Sequence, residues 1–283
     1  MNDTHATRNT QYATRNTQYA TRNTLSAATL AVASLLGLAA FLYPFFLTSA
    51  PQTGMMAHAS DAPLLTVLLL GLCLAVIFAS LTSQQMTSKF VAVLGVLTAI
   101  GAVLRAAPGP AGFNAIFLLP ILAGFAYGPT FGFLLGALSL LVSALIGGGV
   151  GPWLPYQMFS TGWVGLLSGL LPELRRHRRW EPVMLAVWGA LLGLLFGAIM
   201  NIWFWPFVGG SAQAGQGWQP GMAIGGTLRN YAAFYVATSL WWDAARAGGN
   251  ALLILLFGGA ILRVLRRFRS RFRFEVAPEV SIT

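Results

Sequence analysis

The chain has 283 residues, of which 56% are hydrophobic and only 8% charged, against about 25% charged in an average soluble domain. So little polar surface excludes a soluble globular protein, and the 17 basic and 7 acidic residues that give a formal charge of +10 cluster between or beyond apolar runs, where they read as a topology signal and not as a nucleic-acid interface. The one cysteine, Cys73, lies inside an apolar run, which excludes a disulfide framework or a thiolate metal site built within this chain.

Residues 6–24 repeat ATRNTQY, ATRNTQY, ATRNT. The period is seven, yet Thr and Asn form helices poorly and no large apolar pair recurs, so a disordered tail over 1–24 is expected and not a coiled coil. The apolar run that follows is too long and too far from a short charged start for a cleavable signal peptide.

That first run, Leu25 to Leu47, closes on Tyr43, Pro44 and Phe45; the second, Leu64 to Phe78, closes on Ser83, Gln84 and Gln85. Both are long enough to span. Lys89 opens a third run that stops at Pro108, Gly109 and Pro110. A fourth (Ile116 to Tyr127) and a fifth (Thr130 to Ile146) are separated only by Gly128 and Pro129, which predicts an antiparallel pair. The sixth, Met158 to Leu171, ends in the cluster Arg175, Arg176, His177, Arg178, Arg179. Val183 to Trp205 forms the seventh and Trp241 to Leu265 the eighth, with Leu228 to Thr238 expected as a separate interfacial helix.

The fold class expected is therefore an all-α polytopic membrane protein with about eight transmembrane helices. Hydropathy alone placed these runs, so the charges test them independently. With the amino end inside, Arg8, Arg15, Arg22, Lys89, the Arg175 to Arg179 cluster and the arginines from Arg263 to Arg273 all fall on the cytoplasmic side, and only Arg105, Arg229 and Arg246 fall outside. Eight crossings satisfy the positive-inside bias; seven or nine break it. A bacterial-type plasma membrane, with both chain ends cytoplasmic, is the expected location.

Small residues recur at helical spacing: Ala92, Gly95, Ala99 and Ala102; Gly132, Gly136, Ser139 and Ser143; Gly189, Gly193 and Gly197. Such faces let helices approach closely in lipid. Packing within the bundle is the simplest use of each, and the first stripe is the one expected to reach a partner protein.

Polar groups in a membrane are costly and call for a functional explanation. Asp243, Arg246 and Asn250 share one helical face near the outer end of the eighth run, where an ion pair between the first two is the plain structural alternative. Asn201 lies on the outer third of the seventh run, Arg105 ends the third and Gln157 opens the sixth. Trp163, with Trp153, Trp203, Trp205, Trp218, Trp241 and Trp242, adds to an outward excess of tryptophan that suits either an interfacial belt or a pocket stacking on a flat ring. His5, His58 and His177 are scattered, no carboxylate pair is apparent and there is no GxxxxGK[ST] loop. The pattern thus argues against an enzyme, a metal centre, a resident cofactor and a self-powered pump.

The stretch FLLPILAGFAYGPTFGFLLGALSLLVSALIGG (117–148), the stretch GPWLPYQMFSTGWVGLLSGLLP (151–172) and the six-helix plan of 89–268 resemble the S component, the substrate-binding membrane subunit of energy-coupling factor (ECF) vitamin transporters. The resemblance implies a bundle that takes a vitamin or related micronutrient from outside and docks on a transmembrane T component driven by two ABC ATPase subunits. It also implies that the place of the family's AxxxA coupling stripe is held here by Gly95 and Ala99, within Ala92, Gly95, Ala99, Ala102. Four segments follow: a repeat tail (1–24), two extra helices (25–88), a six-helix substrate-binding core (89–268) and a cytoplasmic tail (269–283).

The expected pocket groups are Arg105, Asn114, Gln157, Trp163, Asn201, Asp243, Arg246 and Asn250, and the cargo a cobalamin-like molecule or other planar heterocycle. Beside the lipid bilayer and the cargo, the T component and ATPases are the expected partners, and nucleic acid is not. A stand-alone secondary transporter is the alternative, but no internal repeat of the core and no midplane polar site supports it.

Overall fold

The computed structural model describes residues 27–48, 58–82, 88–106, 109, 113–174, 177–208 and 215–272. The repeat tail, Pro108 and Pro110, Arg175, Arg176 and the tail beyond 272 lie outside the described residues. Among the described residues every regular element is helical: α1 (27–42), followed by a 3-10 turn Tyr43–Phe46; α2 (Ala62–Thr82); α3 (Ser88–Ala106); α4 (Leu118–Tyr127); α5 (Pro129–Ser143); α6 (Leu154–Gly169); α7 (Glu181–Phe204); α8 (Ile224–Thr238); and α9 (Leu240–Leu253), which runs through a π turn, Ile254–Gly258, into α10 (Gly259–Phe272). The chain is a multi-pass helical membrane protein. Among the described residues, five helical stretches are long and apolar enough to cross a bilayer: Ala27–Phe46, Lys89–Ala106, Pro129–Gly148, Arg178–Phe207 and Leu240–Ser270. Ala62–Phe78 and Leu118–Tyr127 are shorter apolar helices.

Glycines set the tightest packing. Gly124 and Gly132 both face the backbone of Gly165, and Gly136 faces that of Thr161, so α4, α5 and α6 meet backbone to backbone in the absence of any hydrophobic drive between helices in lipid. Only Gly128 separates α4 from α5, and its φ of +104° is the left-handed conformation that suits glycine. The far ends of this pair return to one place: Ala115 N–H bonds Leu104 O (3.4 Å) and Arg105 bonds Ser143 (3.2 Å), which makes α4 and α5 antiparallel.

On α7 the stripe Gly189, Gly193, Gly197 faces Ile254, then Ala247 and Asn250, then Asp243, an antiparallel seam with α9. Two of the three small-residue stripes are thus consumed by internal packing. The third is left open on its solvent or lipid side: Ala92, Gly95 and Ala99 are exposed, and a side chain at Gly95 would meet nothing. Ala102 departs from that stripe and is fully buried. It lies about 60° round the helix from Ala99, on the side of Leu94 and Thr98, which are buried too.

At one end of the bundle arginines tie the helices together. Arg266 makes a bidentate bond to Glu181 (2.7 and 2.9 Å), and Arg269 reaches Glu173 (3.0 Å) and Ala126 O (2.8 Å). Glu181 is only 1% exposed, so Asp243 is not the only buried carboxylate. The opposite end is aromatic: Trp205, Trp218 and Phe234 form a satellite core with Phe45 and Tyr231.

Candidate substrate site

The α7–α9 seam concentrates the polar chemistry. Because Gly197 has no side chain, the Asp243 carboxylate fits directly against α7 and is 2% exposed. Arg246, one turn on, donates to Asp243 Oδ1, and its guanidinium lies 5.3 Å from the centre of the Phe196 ring. Phe117 packs edge-on against the other side of that aromatic wall at 4.8 Å. Asn201 accepts a bond from Ser239 Oγ at 3.0 Å, which fixes the start of α9 to the end of α7.

Four side-chain atoms here are buried without a hydrogen-bond partner: Asp243 Oδ2, Asn201 Nδ2, and both Nδ2 and Oδ1 of Asn250. Asn250 is 1% exposed. Leaving such an atom unsatisfied costs about 1–3 kcal/mol, and a bundle that only needed to pack would carry leucine there. A carboxylate, a guanidinium and two primary amides beside an aromatic ring can both donate and accept hydrogen bonds.

The other residues expected in the pocket separate into three places. Arg105 forks between Ser143 Oγ (3.2 Å) and Gln157 Oε1 (3.1 Å), linking α3, α5 and α6. Asn114 Oδ1 accepts the Ile116 N–H at 3.3 Å and so shapes the entry to α4. Trp163 donates to Ser34 Oγ on α1 at 3.1 Å and lines an apolar cavity of about 290 Å³ with Leu38, Phe196 and Ile199. Phe196 therefore has Trp163 within its cavity and Arg246 over its ring. Among these eight residues, the structure brings together Asn201, Asp243, Arg246 and Asn250, and separately Arg105 and Gln157.

His58, one of the three histidines that the sequence shows as scattered, centres a second cluster. It is 3% exposed, with φ of +61°, and enclosed by aromatic rings. Its ring stacks on Trp203 at 5.8 Å and approaches Phe207 at 4.5 Å and Tyr156 at 4.6 Å. Nε2 faces the Trp203 carbonyl at 3.1 Å and so carries a hydrogen; Nδ1 lies 2.8 Å from Asp61 Oδ2. The hydroxyls of Tyr43 and Tyr156 each donate to the same carboxylate oxygen at 2.9 Å. Burial opposes ionisation of Asp61, but the bonds and charge of His58 and the two tyrosine hydroxyls outweigh it and hold its pKa below the usual carboxylate value. This cluster clamps the α1–α2 connection onto α6 and α7. Among the described residues no group of His, Cys, Asp and Glu has the make-up of a metal site.

A multi-pass helical bundle with a buried, incompletely satisfied polar seam is built like a membrane subunit that binds solute for transport. Residues 89–258, more than half of the 283, match the family model of the ECF transporter substrate-specific component, and the chain belongs to that family. Its members are transporter components, not enzymes. No curated protein and no solved structure matches the chain. The match begins with α3 and leaves α1 and α2, and with them His58 and Asp61, outside it.

Proposed function

We propose that this protein is the substrate-binding subunit of an ECF-type importer for a vitamin-like heterocycle, and that the cargo binds in the α7–α9 seam. The observation that carries the reading is the set of Asp243 Oδ2, Asn201 Nδ2 and the whole Asn250 amide, buried without a hydrogen-bond partner on α7 and α9. Arg246 supplies a charged donor, and the Phe196 ring, with Phe117 edge-on against it, an aromatic wall. Arg105 and Gln157 belong to the same end of the bundle and order the loops around the entrance.

In this reading the chain crosses a bacterial-type plasma membrane eight times, with α9 and α10 as the last crossing. The arginine end and both chain ends are cytoplasmic, and the aromatic end faces out. A T component and two ABC ATPases drive transport. Ala92, Gly95 and Ala99 offer the T component a flat docking face on α3, with exposed Val96, Ile100 and Val103 beside it. Helices α1 and α2 are an addition to the six-helix core and brace its outer end through His58.

Co-purification from cells expressing the neighbouring transport genes tests the assignment. Recovery of the chain with a T component and ATPases supports it. Uptake of cargo by the chain alone in ATP-free vesicles contradicts it and favours a secondary transporter.

A further inference from the structure

The arginine end holds a groove that substrate binding does not use. It lies between the start of α7 and the α9–α10 helix, has a volume of about 680 Å³, and changes character along its length. Its inner part is apolar, formed by Pro182, Leu255, Leu256 and Ala260. Its outer part is cationic, formed by Arg178, Arg179 and Arg263 around the Arg266–Glu181 pair.

The local backbone explains both halves. At the π turn Ile254–Gly258 the helix widens, and Leu255 and Leu256 are 51% and 62% exposed there; π turns of this kind recur at functional positions. Gly259 faces Pro182 across the groove, and the bond from Arg266 to Glu181 holds the two walls together. Arg263 stands seven residues beyond Leu256, about 10 Å along the axis. Arg266 is neutralised by Glu181, whereas no carboxylate pairs with Arg178, Arg179 or Arg263 among the described residues. Among the described residues, three guanidinia without a carboxylate partner therefore crown an apolar trough.

We propose that this groove is a binding site for an anionic phospholipid, with the phosphate held by Arg178, Arg179 and Arg263 and an acyl chain lying along Leu255, Leu256 and Ala260. A phosphate needs the planar, multidentate donors that arginine supplies. The apolar part, at hydrocarbon depth below the cations, fits a chain attached to that phosphate and has no use for a free anion. Basic grooves between spanning helices recognise acidic headgroups in this way. Its cationic part, at Arg263, stands thirteen residues beyond Asn250, about 20 Å along the axis, and the site does not depend on the cargo reading.

The test is native mass spectrometry of the full-length, detergent-purified protein titrated with phosphatidylglycerol or phosphatidylcholine of matched chains. Phosphatidylglycerol should bind at least tenfold more tightly. Changing Arg178, Arg179 and Arg263 together to Gln should remove on the order of a hundredfold of that affinity, and Arg263→Gln alone several-fold. Arg229→Gln, an equal charge change on α8, should leave it unaltered. Ala260→Trp, which fills the apolar part with every arginine intact, should also weaken phosphatidylglycerol. Melting temperatures within a few degrees of the wild type show that the variants are folded. Equal affinity for the two lipids, or full phosphatidylglycerol binding by the triple variant, overturns the proposal. So does displacement of the lipid by millimolar inorganic phosphate together with an unaffected Ala260→Trp, since that marks a plain phosphate site.

Discussion

The hydroxyl of Tyr156 lies 2.7 Å from Nδ1 of His58, joining α6 to the α1–α2 connection across 98 residues of sequence. Tyr156 lies inside the family-matched region and His58 outside it, so the contact ties the α1–α2 connection to that region. Replacing His58 with Ala removes one of the three partners of Asp61 Oδ2 and the donor facing the Trp203 carbonyl, and should cost about 1–3 kcal/mol. Tyr156→Phe removes one donor and should cost about 1 kcal/mol. The double variant should lose less than the sum, because the two side chains share Asp61. Thermal unfolding of the four proteins in one detergent measures this coupling.

Asp61 gives the clamp a pH dependence of known sign. Its pKa is lowered in the folded protein, so its stabilisation is fully present above the unfolded value of about 3.9 and is lost as pH falls through the lower folded value. The clamp should hold its Asp61 contribution at pH 5 and lose it only below about pH 4. Tryptophan emission reports it, because Trp203 stacks on His58. Asp61→Asn should be less stable than the wild type at pH 7 and lack the acid transition that the wild type shows.

The glycine stripes should separate by function. A methyl at Gly136 runs into the Thr161 carbonyl, which is backbone and cannot swing aside, whereas one at Gly95 meets nothing. Gly136→Ala should therefore destabilise the bundle by about 1–3 kcal/mol, and Gly95→Ala should not. Gly95→Leu should keep the melting temperature of the wild type but reduce recovery of the T component in a pull-down, as expected if the α3 face is the docking surface.

Hydropathy and the small-residue stripes made most of the bundle legible, because a spanning run and a flat face are local patterns. Helix α7, read as Val183 to Trp205, forms as Glu181–Phe204, and the glycines expected to pack do so on α5 and α7. Asp243, Arg246 and Asn250 were visible as one helical face. Their alignment with Asn201 was legible in part, since Asn201 continues the glycine stripe of α7. His58 was not legible. Its partners Tyr156 and Trp203 lie 98 and 145 residues away, and no periodicity links an outer-loop histidine to them. Trp163 and Ala102 show the same limit: α1 supplies Ser34 to the Trp163 indole, and only the packing of α3 decides that Ala102 faces inward. The π turn in α9, which carries that helix on to Phe272, has no signature in hydropathy either.

The claim that the α7–α9 seam holds the cargo is tested most directly at Asn250. The measurement compares wild type with Asn250→Leu, a replacement of similar size, for melting temperature without ligand and for affinity toward a panel of vitamin-like heterocycles, cobalamin and riboflavin among them. The variant removes two buried, unpaired polar atoms, so it should melt no lower than the wild type, and higher by up to a few kcal/mol of stability, while binding the cargo at least tenfold more weakly. Asp243→Ala, Arg246→Ala and Asn201→Ala should each weaken binding by tenfold or more. Unchanged affinity in all four variants would contradict the account and move the binding site elsewhere in the bundle.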